Sequence, residues 1–374
     1  MTAQDIDTTL APRRRKETPV TASRRRRIPA PSLTILVVVL VAVVVMGPGD
    51  VMSVATTASI FGVAAIGLTV LAGPTRVVNL GASTFIGLGA FVAAYLNNVV
   101  KLDFLLSMLA AMGACIAVGW IIAPIASRLA GVYIAVITVG IAFLAQHIFR
   151  IAEPFTGGTV GVQLNSVPFL GLDLSQPTQV GGLVLDTQLV YFVLCAIVLV
   201  TVALAATHLL QSRIGRALRV IGTSSLTARS FGISPARYRG VAFVFSAALG
   251  GLAGALLAGS QGFVAWDQFD LILSVDLVAV IVLGGLGSVC GAIVGAAILF
   301  ALPVVVDSFA GSLPFLASAS SSDGLSPEQF TSVLYGLALV LVMILEPGGL
   351  AALLARARAR LESPAAPTRK EAQR

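Results

Sequence analysis

Residues 188–210 read QLVYFVLCAIVLVTVALAATHLL, residues 211–239 read QSRIGRALRVIGTSSLTARSFGISPARYR, and residues 240–260 read GVAFVFSAALGGLAGALLAGS. The first and last runs contain no Asp, Glu, Lys or Arg. Each is long enough for a helix to cross the roughly 30 Å hydrocarbon layer of a bilayer, which takes about 20 apolar residues. Between them lie six arginines and no acid. Apolar run, basic loop, apolar run is the pattern of two membrane helices joined on the cytoplasmic side, where Lys and Arg accumulate.

The rest of the chain agrees with this pattern. Of 374 residues, 57% are hydrophobic and only 11% are charged, and the mean hydropathy is +0.97. Soluble domains run at about 45–50% apolar and about 25% charged. The composition therefore excludes a water-soluble enzyme, a disordered chain and a disulfide scaffold. Outward from the opening pair, the apolar runs are 33–47, 52–72, 77–97, 104–126, 129–149, 188–210, 240–260, 274–286, 288–306 and 329–346. The expected fold is an all-α polytopic membrane protein of about ten spans with both termini cytoplasmic. The run at 77–97 is Gly-rich and could re-enter, and GGLGS (284–288) could split the eighth and ninth spans into a broken pair.

Charge supplies an internal check on that count. With ten spans, 22 of the 24 Lys and Arg fall on the cytoplasmic side, and only Lys101 and Arg150 fall outside. Losing or adding one span in the middle would put the 211–239 arginines or the basic C-terminal stretch outside, against the positive-inside rule. The net charge of +7 thus reports orientation rather than affinity for nucleic acid. The expected organisation is a disordered basic cytoplasmic tail at 1–32, a membrane domain at 33–350 and a basic cytoplasmic tail at 351–374. No small-x-small cleavage site follows the first apolar run, so no cleavable signal peptide is expected. Cys115, Cys195 and Cys290 each lie within an apolar run and are read as small buried hydrophobes.

Several chemistries are missing. The three lysines are Lys16, Lys101 and Lys370, and none follows a glycine-rich loop, so no ATP site is expected on this chain. There are two histidines, His147 and His208, and no metal constellation, carboxylate pair or Ser-His-Asp set. Ion-coupled carriers bury ionisable groups in their spans, and mid-span positions here carry essentially none. The residues fit a passive pathway driven by another protein.

Three groups of residues are candidates for that role. In the loop, the apolar residues Ile214, Leu218, Val220, Ile221, Leu226, Phe231 and Ile233 are interleaved with the arginines. This predicts two short amphipathic helices with breaks at Gly222 and Gly232, forming a docking surface for a soluble motor. In the spans, Asn79, Ser83, Thr84, Thr138 and Ser288 put small polar groups in apolar surroundings and are candidate pathway residues; the alternative is a hydrogen bond to their own helix. Gly284, Gly285 and Gly287 predict a helix break, tolerated at membrane depth only where it is buried in protein or lines a cavity. Gly250 and Gly254, and the series Gly287, Gly291 and Gly295, have the four-residue spacing that lets helices pack closely in lipid.

GRALRVIGTSSLTARSFGISPARYRGVAFVFSAALGGLAGALLAG (215–259) resembles the cytoplasmic loop and following helix of branched-chain amino-acid ABC transporter permeases of the LivM type. VLGGLGSVCGAIVGA (282–296), GVYIAVITVG (131–140) and TGGTVGV (156–162) are similar to further family motifs, in order and spacing, and VVNLGASTFIGLGAF (77–91) more loosely. The resemblance covers about residues 50–350. It implies a subunit of an ABC importer for branched-chain or other apolar amino acids, located in the cell membrane with its lipid. The implied partners are a second, related permease, two cytoplasmic ATPases that hold ATP and Mg, and an extracytoplasmic solute-binding protein. No cofactor is expected on this chain. The resemblance also implies that the segment bearing Arg213, Gly215, Arg216, Ala217, Arg219 and Gly232 seats in an ATPase groove. Departures from the family pattern at Arg76-Val77, Ala82, Phe143 and Thr223-Ser224-Ser225 bear on the substrate and leave urea or another small amide open.

Overall fold

A computed structural model describes residues 49–128, 132–164, 168–169, 172–173, 178–180, 183–185, 187–310, 333 and 336–337. The two tails, the run 33–47 and nearly all of 329–346 lie outside the described residues. The other eight apolar runs overlap helices. These are α1 (Gly49–Thr75), α2 (Ala82–Asn98), α3 (Phe104–Arg128), α4 (Val132–Ile151), the short α5 (Glu153–Thr156), α6 (Thr187–Gln211), α7 (Arg213–Thr223), α8 (Ser225–Ser230), α9 (Pro235–Gln261), α10 (Leu271–Gly284) and α11 (Val289–Ala310). Five are long and apolar enough to cross a membrane: α1, α3, α4, α6 and α9.

Helices α1 and α9 form the centre. Helix α9 packs against α3, α2 and α1, and α1 packs in turn against α11 and α6. A helix that is apolar all round belongs inside such a bundle, and long stretches of both are buried. Small residues make the contact close. A Cβ built at Gly250 would lie 2.9 Å from that of Phe85, and one at Gly254 would strike the Ile86 carbonyl, so the four-residue spacing read in the sequence is the face that α9 turns to α2. Leu71, Phe85, Cys115, Leu218, Phe243 and Ala247 share one buried cluster. By contrast, α3 and α4 carry large exposed apolar side chains, including Trp120, Ile121, Val136 and Phe143.

Two elements depart from the sequence expectation. The run 77–97 is not one helix. Helix α1 ends at Thr75, Arg76 takes a left-handed conformation (φ 55°), the chain stays non-helical to Gly81, and α2 begins at Ala82. The series Gly287, Gly291 and Gly295 is not one ridge either. Gly287 (φ 87°) lies in the turn before α11, whereas Gly291 and Gly295 face α10. Added Cβ atoms at Gly284 and Gly295 would strike the carbonyls of Gly291 and Val280 respectively. Helices α10 and α11 therefore run back along each other as a tight hairpin. With 14 residues, α10 is about 21 Å long, too short to span the hydrocarbon alone.

The stretch after α4 contains ribbons that the all-α expectation did not foresee. Val162–Gln163 (β1) pairs antiparallel with Phe263–Val264 (β6), Pro168–Phe169 (β2) with Leu172–Asp173 (β3), and Thr178–Val180 (β4) with Leu183–Leu185 (β5). The Thr156 hydroxyl donates to the Phe149 carbonyl at 2.6 Å and accepts from Gly158 N–H at 3.2 Å. This folds the TGGTVGV segment back toward α9, where Leu164 N–H donates to the Gly262 carbonyl.

Candidate functional site

The basic loop 211–239 folds into α7, α8 and the first turn of α9. Ser212 starts α7 by accepting from Ile214 N–H at 3.1 Å. The helix is strongly two-sided. Gly215, Ala217, Leu218 and Ile221 are buried, while Arg213, Arg216 and Arg219 are exposed. Two of these arginines turn back to the preceding helix. Arg216 Nη1 donates to the Gln211 carbonyl at 3.1 Å, and Arg219 Nη1 to the Leu210 carbonyl at 2.9 Å. They occupy the acceptors that the end of a helix leaves unpaired and place positive charge at its negative pole.

Gly222, expected as a break, sits inside α7. A side chain there would strike the Pro74 carbonyl, so this glycine lets α7 lie directly on the end of α1. The break comes two residues later. Ser224 ends α7 and caps α8, accepting from Thr227 N–H at 3.2 Å. Gly232 (φ 73°) closes α8, with Gly232 N–H bonded to Arg229 and Ile233 N–H to Ala228. That double bond pattern needs a left-handed residue, which glycine adopts without strain.

The result is a helical pair seated on α1 and α6, with a bare tip. Leu226 is 76% exposed and Phe231 74%, and open space surrounds Gly232. Arg239 holds α8 to α9 by donating to the Ser225 hydroxyl at 2.9 Å. Of the six loop candidates, Arg213, Arg216, Arg219 and Gly232 reach the surface, whereas Gly215 and Ala217 are packing residues. The exposed pair Leu226 and Phe231 was not among them. The signal was present as two large apolar residues in an arginine-rich loop, but spacing alone does not say which apolar residues remain uncovered.

The span candidates meet at a buried junction. Asn79 accepts from Gly81 N–H at 2.9 Å and holds the non-helical segment in a turn. Thr138 accepts from Leu80 N–H at 3.0 Å and donates to the Ala135 carbonyl. Ser83 is joined to Ser274 twice: its N–H donates to the Ser274 oxygen at 2.9 Å, and the two hydroxyls are 2.8 Å apart. All four residues are at most 2% exposed. The Thr84 hydroxyl, next to Ser83 in α2, is buried without a partner among the described residues. Ser274 was missed in the sequence, where it looks like any serine in an apolar helix. Ser288 joins none of these bonds; its hydroxyl accepts from Gly291 N–H at 3.0 Å and starts α11.

The helix break falls where GGLGS stands. Helix α10 ends at Gly284, Gly285 (φ 104°) and Gly287 (φ 87°) turn the chain, and α11 starts at Val289. Gly287 packs backbone to backbone on Gly73. The turn and α7 thus both rest on residues 73–74, at one end of α1. At the opposite end of α1, α6 and α9 lies a cavity of about 290 Å³ with uncharged polar walls that include Ser53, Gln188, Tyr191 and Gln261. Among the described residues no cluster of His, Cys, Asp and Glu could hold a metal.

Relatives add to this geometry. Over 314 residues the chain is 29% identical to the high-affinity branched-chain amino acid transport system permease protein LivM of Salmonella typhimurium, covering 80% of this chain and 69% of the relative. The LivM protein of Escherichia coli matches with the same identity and coverage. No solved structure matches. A family described as the permease component of branched-chain amino acid transport systems matches residues 51–343. That match takes in the described spans, the polar junction, the basic loop and the GGLGS turn, and the chain belongs to this family of membrane permeases.

Proposed function

We propose that this chain is one of two related permease subunits of an ATP-driven importer for branched-chain or other apolar amino acids. Its expected setting is ten spans, both termini in the cytoplasm, with the basic loop on the cytoplasmic side. The distribution of 22 of 24 bases supports that orientation. The chain carries no ATP site of its own, so two partner ATPases hold ATP and Mg. A binding protein delivers solute on the other face, against the ribbons after α4.

The observation that carries the reading is the loop's two-sided build. One side is seated on the ends of α1 and α6, and the other offers Leu226, Phe231 and Gly232 above exposed arginines. A rigid knob of this kind transmits movement from a docked ATPase to the spans it rests on. The same end of α1 touches the GGLGS turn, so displacement of α7 reaches the α10–α11 hairpin directly. Arg216 and Arg219 then fix α7 to α6, Gly215 and Ala217 allow the close seat, and Arg213 and Gly232 face the partner.

For the solute path, Asn79, Ser83 and Thr138 act as ties that hold a non-helical segment at membrane depth, which such backbone requires. Thr84, next to Ser83 in α2, has a buried hydroxyl with hydrogen-bonding capacity left over. The face of α4 bearing Val136, Gly140, Phe143 and His147 is exposed and suits a path shared with the second permease. The test is ATP-dependent uptake by the assembled transporter across leucine, isoleucine, valine, polar amino acids and urea. Uptake of the apolar amino acids alone supports the reading. Uptake of urea alone would replace it with an amide permease, and uptake without ATP with a facilitative or ion-coupled carrier.

A further inference from the structure

We propose that the cleft between the inner ends of α3 and α9 binds an anionic phospholipid, with its headgroup on Arg237 and an acyl chain along the cleft. The two helices run antiparallel. Gly119 lies against Ala247, and Gly240 lies opposite Ala123. Between them is a cleft of about 450 Å³ whose walls include Trp120, Pro124, Ser127, Arg237, Val241 and Val244. Its polarity is graded. Ser127 and Arg237 stand at one end, and Trp120 and Val244 lie two turns further along, about 10 Å by helical rise. Trp120 is 74% exposed and Val241 41%, so the apolar end is open to whatever surrounds the helices.

Charge selects the occupant. Of the loop arginines, Arg216 and Arg219 are engaged with the end of α6 and Arg239 with Ser225; Arg213 and Arg229 are exposed but do not line the cleft. Arg237 is exposed and has no hydrogen bond or ion pair with another described residue. The sequence contains no Asp or Glu between Asp103 and Glu153, nor between Asp186 and Asp267. Neither helix forming the cleft therefore carries a counter-charge. The polar end is also where α9 starts, and Ser234 at its N-cap makes no side-chain cap bond, so the positive end of a 27-residue helix adds to the guanidinium. A soluble anion would satisfy this end but leave two turns of apolar wall uncovered. A phospholipid satisfies both, and a basic residue at the cytoplasmic leaflet attracts anionic headgroups.

The inference uses the orientation proposed above, but its test reads bound lipid and not transport, so the two readings fail separately. The full chain, purified in detergent, is offered equal phosphatidylglycerol and phosphatidylcholine and examined by native mass spectrometry. Wild type is expected to retain phosphatidylglycerol by about fivefold over phosphatidylcholine, the ratio set by one basic residue at a membrane surface. Arg237→Ala removes the preference. Gly240→Phe, entering space where only Ala123 stands near, lowers retention of both lipids. Lys101→Ala, at the opposite end of the bundle, keeps the wild-type ratio. Equal retention of the two lipids by wild type, or an unchanged preference in Arg237→Ala, would overturn the proposal. So would crosslinking of Trp120→Cys to a partner subunit in the assembled transporter, because the cleft would then hold protein.

Discussion

The junction around Asn79 and the basic loop both set polar residues against apolar helices, yet they use those residues in opposite ways. At the junction, Asn79 and Thr138 accept from the backbone of Gly81 and Leu80, Ser83 and Ser274 bond to each other, and all four are closed to the exterior. In the loop, Arg216 and Arg219 secure the base of the structure and Arg239 holds α8 to α9, while Leu226 and Phe231 at the tip remain uncovered. The difference teaches that polar groups within membrane helices here serve first to satisfy irregular backbone. In the proposed reading, recognition is left to the exposed tip of the loop.

Four sets of substitutions would break or sharpen this contrast. The largest effect is expected at the tip. Leu226→Asp with Phe231→Asp changes exposed residues only, so expression and insertion are retained. Affinity for the ATPase subunits falls at least about thirtyfold, the ratio for one 2 kcal/mol hot spot, read by co-purification at graded ATPase concentration. Next is the seat. Gly222→Val meets the Pro74 carbonyl, and thermal unfolding in detergent should register a loss of about 1–3 kcal/mol, the usual cost of overpacking. Third, Thr138→Val deprives Leu80 N–H of its acceptor, a comparable or smaller loss of about 1–3 kcal/mol by the same assay. Unaltered stability would mean that the Leu80 N–H is satisfied in another way. The smallest is the serine pair. A double-mutant cycle with Ser83→Ala and Ser274→Ala should give a coupling of about 0.6 kcal/mol, typical of hydrogen bonds between membrane helices, with uptake unchanged. A strong uptake defect in either single variant, without loss of stability, would make the junction part of the solute path.

The same contrast explains what could be read in advance. Hydropathy finds where lipid-depth segments are, because burial in lipid depends on composition over about 20 residues. It does not tell helix from extended chain when both are apolar, which is why residues 77–81 of the expected run 77–97 are non-helical without a break in hydropathy. Glycine spacing identified the face of α9 that meets α2, since a four-residue repeat is itself a surface. Spacing alone set Gly287 in a ridge with Gly291 and Gly295, although this residue stands in the turn before α11, as the GGLGS break expects; Gly222, expected as a break, is instead needed to seat α7 on Pro74, a neighbour distant in sequence. One ribbon after α4 depends on a partner about 100 positions away, Val162 with Val264, and no local pattern states such a partner; the other two are short local hairpins hidden in a loop without strand-length alternation. Charge patterning located the basic loop because the arginines were concentrated there. Which apolar residues crown it required knowing that Leu218 and Ile221 face the spans while Leu226 and Phe231 do not.

The most direct test places the assembled transporter in vesicles with its ATPases and binding protein, and measures ATP hydrolysis and leucine uptake on the same sample. The expected result is ATP-dependent uptake by wild type, and its loss in the Leu226→Asp, Phe231→Asp variant while the Ser83→Ala variant transports normally. Wild-type uptake in the tip variant, at wild-type ATP cost, would contradict the assignment of the loop as the seat of the motor.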